Sequence, residues 1–160
     1  MISMAGNTNT TLVNAAFLQE VKDSNLRLWA VLHELHDINA LRRESGDPRS
    51  LAHELVALMS ELRESIALEF SLEETYGFIE GAARIGGLGM PDASLVKLQH
   101  RELYLQITEL CEQVEEAQYR GTIARDLHAY LDSFTRFDEA FYTHEEFESE
   151  LMRSALGFKW

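Results

Sequence analysis

Clusters of helix-breaking residues divide the chain into four long segments, and this division decides the fold class. The breakers are Ser45-Gly46-Asp47-Pro48, the loop Gly86-Gly87-Leu88-Gly89-Met90-Pro91, and Gly121. Within the segments apolar residues recur every three or four positions, as on one face of a helix, and nothing alternates in the manner of a strand. We predict helix A over 12–44, helix B from 50 to between 81 and 85, helix C from a cap at Asp92 or Ser94 to about 119, helix D over 122–156, and no strand. Four such helices joined by short loops make an all-α fold, an antiparallel up-down-up-down four-helix bundle.

The length of the chain indicates a single domain, and its charge limits the kinds of partner it can bind. A length of 160 residues suits one domain, so we predict a flexible tail over 1–11, the bundle over 12–156 and a short tail over 157–160. The net charge of −13 argues against nucleic acid or a membrane surface as partner. No apolar run is long enough to span a bilayer, and Met1 to Thr10 does not have the pattern of a signal peptide. The single cysteine, Cys111, suits a reducing compartment, and we expect a cytoplasmic protein.

Two glutamates interrupt the apolar face of helix B. Glu69 and Glu73 follow Leu62 and Ile66 at spacings of three and four residues, and Tyr76 continues the same face. A carboxylate that faces a core is normally protonated, paired with a cation or bound to a metal. No arginine or lysine is expected on the facing stripes at the same height, so this pattern predicts a metal site.

Counting residues from the connecting loops shows which polar residues share a height in an antiparallel bundle. Glu73 on helix B, His100 on helix C, and His144 and Glu148 on helix D lie at similar heights, so we expect them to meet. Tyr104 is one turn beyond His100 on helix C and is a weaker candidate ligand.

Helix A carries two histidines, but they lie too close to its C-terminal end to reach the level of the glutamates on helix B. His36 lies about 20 Å from the level of the glutamates at the rise of an α-helix, and we expect surface or boundary positions for both His33 and His36. Asn25 has the right height and orientation on helix A, as a weak ligand or as a hydrogen-bond partner of a ligand.

The residues at these positions resemble those of the hemerythrin-like (HHE cation-binding) domains. The resemblance rests on Glu69-Phe70-Ser71-Leu72-Glu73-Glu74, His100-Arg101-Glu102-Leu103 and His144-Glu145-Glu146-Phe147-Glu148-Ser149-Glu150-Leu151. It covers about residues 12 to 156 and implies a four-helix bundle with a non-haem di-iron centre. Asn25, Glu69 and Tyr104 stand where family members carry histidines, so the implied ligand set loses imidazoles and gains a carboxylate.

The ligand set suits iron, manganese or zinc, and two glutamates that can bridge suit a pair of ions. The resemblance implies iron, as a di-iron centre, with manganese or zinc as alternatives. The resemblance implies oxygen or peroxide as the small ligand, and a carboxylate-rich site favours oxidase, peroxidase or iron-handling chemistry over reversible oxygen carriage. A metal-free bundle that acts as an interaction protein is the alternative, and a metal-dependent sensor is a lesser one. Acidic bundles of this size commonly dimerise, so a homodimer is a further expectation. Whether the protein is an enzyme stays open at this point.

Overall fold

The computed structural model describes residues 9–41, 47–82 and 91–156. In chain order the elements are β1 (Asn9–Val13), α1 (Ala15–Ser24), α2 (Leu26–Leu41), α3 (Pro48–Leu72), a π-helix (Glu73–Gly77), β2 (Phe78–Ala82), α4 (Pro91–Arg120) and α5 (Leu127–Leu156). The fold class is therefore helical, as predicted, with five α-helices in the described ranges where four were expected. Within those ranges no helix is both long and apolar enough to cross a membrane.

Local hydrogen bonds explain where the helices begin and end. The predicted helix A is two helices, because Asn25 interrupts it and accepts a hydrogen bond from the Leu28 N–H to its Oδ1 at 3.3 Å, as an N-cap does. Asn14 caps α1 in the same way, with its Oδ1 3.1 Å from the Phe17 nitrogen. Asp47 and Pro48 open α3, and Gly121, at a φ of 75°, ends α4 in the left-handed conformation that favours glycine.

The prediction that the chain contains no strand is wrong. β1 and β2 pair antiparallel, with Asn9 opposite Ala82 and Val13 opposite Phe78. Residues 9–11 therefore lie in a strand and not in the predicted tail, and the predicted end of helix B gives way to the π-helix and β2. Each strand has only five residues, too few for alternation to stand out in the sequence. The rest of the predicted tails, 1–8 and 157–160, and the loop 86–90 lie outside the described residues.

The described residues group into two compact units, and α3, α4 and α5 contribute to both. The first unit takes 9–24, 69–82, 91–101 and 142–156, and the second takes 25–41, 47–68 and 102–141.

The second unit has an apolar core drawn from α2, α3, α4 and α5. Its fully buried side chains include Leu28, Leu35, Leu55, Met59, Leu62, Ile66, Ile107, Leu131, Phe134 and Phe137. Within this unit α2 and α5 run antiparallel, because His36 contacts Asp138 at 2.9 Å while Asn39, further along α2, contacts the earlier residue Thr135 at 3.0 Å. On α3, Leu55, Leu62 and Ile66 are buried at the predicted helical spacing of three to four residues, and Met59 is more deeply buried than its neighbour Leu58.

The first unit has a smaller apolar core, which Ala15, Leu18, Val96, Leu151 and Met152 form. Helix α1 packs on the π-helix, where the Asn14 N–H donates to the Gly77 carbonyl at 2.7 Å. A Cβ atom at Gly77 would clash with the Leu18 side chain, so this close approach requires glycine.

Candidate metal centre

A cluster of ionisable side chains lies inside the first unit, beside its apolar core. It comprises Lys22 on α1, Glu69 on α3, Glu73 on the π-helix, His100 on α4, and His144, Glu145 and Glu148 on α5. We call this group the ionisable cluster. The structure thus brings together the five strongest ligand candidates of the sequence analysis and adds Lys22 and Glu145.

The five predicted ligands are almost completely shielded from water. Relative exposures are 1% for Glu69, 0% for Glu73, 2% for His100, 2% for His144 and 0% for Glu148. Ionisable groups at this depth require charge compensation or coordination.

His100 is held between three carboxylates. Its Nδ1 lies 2.7 Å from Glu74 Oε2, and its Nε2 lies 3.1 Å from Glu73 Oε1 and 3.4 Å from Glu148 Oε2. A carboxylate accepts hydrogen bonds, so Nδ1 donates outward to Glu74 while Nε2 points into the cluster. The Phe70 ring stacks on the imidazole with centroids 3.9 Å apart and fixes the plane of the His100 ring.

His144 repeats this arrangement from the neighbouring helix. Its Nδ1 donates to Gln99 Oε1 at 2.7 Å, and its Nε2 lies 3.8 Å from Glu148 Oε1. The two imidazole rings meet edge to face with centroids 4.9 Å apart. Both histidines therefore use the outer nitrogen for orientation and turn the inner nitrogen toward Glu148.

One donor atom from each of His100, His144 and Glu148 lies within 4.8 Å of the other two. A single ion placed among them would meet two imidazole nitrogens and a carboxylate oxygen, a donor set that suits first-row transition metals. Glu73, in contact with His100 Nε2, supplies a further oxygen at the same place.

Lys22, like Glu145, is a member of the ionisable cluster that the sequence analysis missed. Its Nζ lies 2.5 Å from Glu148 Oε1, 2.9 Å from Glu145 Oε2, 3.1 Å from Glu73 Oε2 and 3.5 Å from Glu69 Oε2. The expectation that no lysine reaches the height of the glutamates is therefore wrong. The spacing in the sequence indicates that Lys22 is buried, because it follows Leu18 by four residues on the buried face of α1.

Burial and mutual contacts set the protonation of the two histidines in opposite directions. Burial lowers the pKa of His144 to about 4, so its imidazole is neutral at pH 7. Burial also acts to lower the pKa of His100, but hydrogen bonds to Glu148, Glu73 and Glu74 outweigh it and raise that pKa to about 10. His144 is thus ready to coordinate, whereas His100 has to release a proton first.

The pKa values of the acidic members also shift in different directions, and the pKa of Lys22 rises. Burial raises the pKa of Glu73 to about 8 and that of Glu145 to about 7. Burial would also raise the pKa of Glu148, but the hydrogen bond from His100 and the charge of Lys22 hold it well below its ordinary value. For Lys22, burial acts to lower the pKa, and the charges of Glu148 and the other carboxylates raise it well above its usual range. At pH 7 Lys22 and His100 are therefore the cations of the cluster.

The remaining sequence candidates lie elsewhere. Asn25 caps α2 and belongs to the second unit, as does Tyr104, whose side chain is 38% exposed. Tyr76, expected on the buried face of helix B, is 58% exposed. His33 and His36 are exposed and contact Asp37 and Asp138, which confirms their assignment to the surface.

Comparisons of the chain with protein-family models, with curated proteins and with solved structures found no match.

Proposed function

We propose that the protein binds a transition-metal ion between His100, His144, Glu148 and Glu73. The observation that supports this most directly is the matched orientation of the two buried histidines. Each donates its Nδ1–H outward, to Glu74 or Gln99, and turns Nε2 toward buried carboxylate oxygens. Histidine ligands of protein metal sites are held in this way, because the outer hydrogen bond fixes the tautomer and the ring plane.

Iron is the metal we propose, with manganese or zinc as alternatives that the same nitrogen and oxygen donors accept. The hemerythrin-like resemblance of the site motifs is the reason for this choice, and it also leads us to propose the up-down-up-down four-helix bundle. Antiparallel α2 and α5 in the second unit support that arrangement. When bound, iron supplies a redox-active centre that reacts with oxygen or peroxide.

The residues of the site have separate tasks in this proposal. His144, neutral at pH 7, offers an available lone pair, and His100 releases a proton as the metal enters. Glu148 keeps its negative charge and lies beside both imidazoles. Phe70, stacked on His100, keeps water from one face of that ring.

Metal content per chain tests the proposal. The protein is purified without chelator, loaded anaerobically with ferrous ion, and separately with manganese or zinc, then desalted and analysed by inductively coupled plasma mass spectrometry. We expect the native chain to retain metal, His144→Ala to lose it, and His33→Ala, which removes an exposed histidine of the second unit, to match the native chain. If the native chain retains none of the three metals, the proposal is wrong.

A metal-free interaction protein is the second candidate, and Lys22 is the observation that favours it. The Lys22 ammonium already contacts four carboxylates and so supplies some of the charge compensation that a metal would give. This candidate predicts no change in the unfolding temperature when zinc is added. A metal protein is stabilised instead, by about 2.7 kcal/mol when free zinc is at about 100 times its dissociation constant.

A further inference from the structure

Lys22 occupies a defined position within the ionisable cluster. Its ammonium lies 3.1 Å from Glu73 Oε2 and 2.5 Å from Glu148 Oε1. The other oxygens of the same two carboxylates face His100 Nε2, with Glu73 Oε1 at 3.1 Å and Glu148 Oε2 at 3.4 Å. Each of these glutamates therefore presents one oxygen to Lys22 and the other to His100, and Glu148 Oε1 also lies 3.8 Å from His144 Nε2.

Two carboxylates that share their oxygens in this way define two neighbouring cation positions. The first is lined by His100 Nε2 and the oxygens that face it, and His144 offers a donor atom within 4.8 Å of those of His100 and Glu148. The second is lined by Glu73 Oε2 and Glu148 Oε1, together with Glu69 and Glu145, and the Lys22 ammonium stands in it. The arrangement is that of a carboxylate-bridged pair of cations in which one of the two is a side chain.

We propose that Lys22 is a built-in cation that fills the second position, so that the native chain binds one metal ion and its Lys22→Gln variant binds two. This inference rests on the proposed metal-binding function and determines the number of ions that the site takes. It replaces the expectation of two ions per chain with one.

Size and charge both exclude a metal from the second position while Lys22 remains there. A transition metal binds carboxylate oxygens at about 2.0 to 2.2 Å, so its centre would fall on the space that the ammonium uses. A second divalent ion would also lie against the ammonium charge inside a cluster almost closed to water, where repulsion is strong. A neutral side chain at position 22 removes both obstacles. It also leaves four carboxylates whose negative charge a second metal ion can compensate.

The number of bound ions tests the inference. The native chain, Lys22→Gln, Lys22→Arg and Arg120→Gln are loaded anaerobically with ferrous ion or with manganese, desalted and analysed for metal per chain. We expect two ions for Lys22→Gln and one for each of the others, because Lys22→Arg keeps the buried cation and Arg120→Gln removes an exposed one.

Thermal unfolding in chelator provides a readout that does not need metal. Without its ammonium the cluster has excess buried negative charge, so we expect the unfolding temperature of Lys22→Gln to fall by about 10 °C. The double variant Lys22→Gln/Glu145→Gln, which also removes one carboxylate, should recover part of that loss. Refolding Lys22→Gln with manganese present allows the ion count even where the metal-free variant does not fold.

The outcomes separate the two proposals. Two ions in the native chain, or one ion in folded Lys22→Gln, overturn the role of Lys22 and leave the metal site standing. Failure of every variant to bind metal overturns both proposals. An unchanged unfolding temperature of Lys22→Gln in chelator also shows that Lys22 does not compensate the cluster.

Discussion

Raising the pH from 7 to 9 should destabilise the metal-free protein, and the ionisable cluster sets the size of the effect. Folded His100 holds its proton up to about pH 10, against an ordinary value of 6.5. Folded Glu73 holds its proton up to about pH 8, against 4.5. In this range the folded chain binds more protons than the unfolded chain, so the free energy of unfolding falls as the pH rises.

The magnitude follows from the number of extra protons. Each one lowers the free energy of unfolding by about 1.4 kcal/mol per pH unit. Both groups contribute up to about pH 8 and His100 alone above it, which gives a loss of about 3 to 4 kcal/mol between pH 7 and 9. His144 contributes little here, because its pKa of about 4 in the folded chain and its ordinary pKa of 6.5 in the unfolded chain both lie below pH 7.

Urea unfolding followed by circular dichroism at pH 7, 8 and 9 in chelator measures this loss. His100→Gln removes the larger of the two contributions, although Glu73, without the hydrogen bond from His100 that lowers its pKa, then holds its proton to higher pH. The loss between pH 7 and 9 should therefore be smaller in this variant than in the native chain. Saturating zinc should also flatten the native profile, because metal binding displaces the His100 proton. A free energy of unfolding that stays constant or rises from pH 7 to 9 in the metal-free native chain would refute the reasoning.

Three further predictions concern Gln99, the apolar core of the second unit and Gly77. Gln99→Ala removes the acceptor that orients His144 and should weaken zinc binding roughly 10- to 100-fold in a competition titration with a chelator; unchanged affinity would mean that this hydrogen bond does not support a ligand. Phe134→Ala, in the core of the second unit, should cost about 3 to 5 kcal/mol in urea unfolding yet leave metal content per chain unchanged, and a loss of metal in the folded variant would contradict this. Gly77→Ala should lower the unfolding temperature because its Cβ would clash with the Leu18 side chain. An equal or higher unfolding temperature would show that Leu18 moves aside without a loss of stability.

The buried glutamates and histidines were accessible to sequence reasoning because they lie on regular helical stripes. Glu69 continues the spacing of Ile66, and His100 and Glu148 lie on equally regular faces of α4 and α5. Helix geometry then fixes their heights from the loops, so counting residues predicts that Glu73, His100 and Glu148 meet.

Lys22 and the strands were missed for different physical reasons. A lysine is seldom buried without partners, and the partners of Lys22 come from segments distant in sequence, such as Glu69 and Glu148. The pairing of β1 with β2 likewise depends on a contact between distant segments, and strands of five residues are too short to predict it. The predicted helix A is broken at Asn25 because this residue caps α2. Asparagine also occurs within unbroken helices, so its presence in the sequence does not by itself predict a break.

The wrong placement of Tyr76 came from a change of helical period. An α-helix that continued past Glu73 would bury the residue three positions on. The π-helix has a wider turn, so Gly77 is buried in its place and Tyr76 faces outward.

The number of residues in this π-helix is therefore as important as their identity. Glu73 and Glu74 are consecutive, yet they hold the two opposite nitrogens of one imidazole, and Gly77 meets Leu18 at the end of the same turn. Deleting one residue, for example Thr75, would restore α-helical spacing but shift Gly77 away from Leu18 and move β2 one step against β1. In a strand, one step turns every side chain to the other face. The segment should therefore tolerate many substitutions at its exposed positions and no change in length.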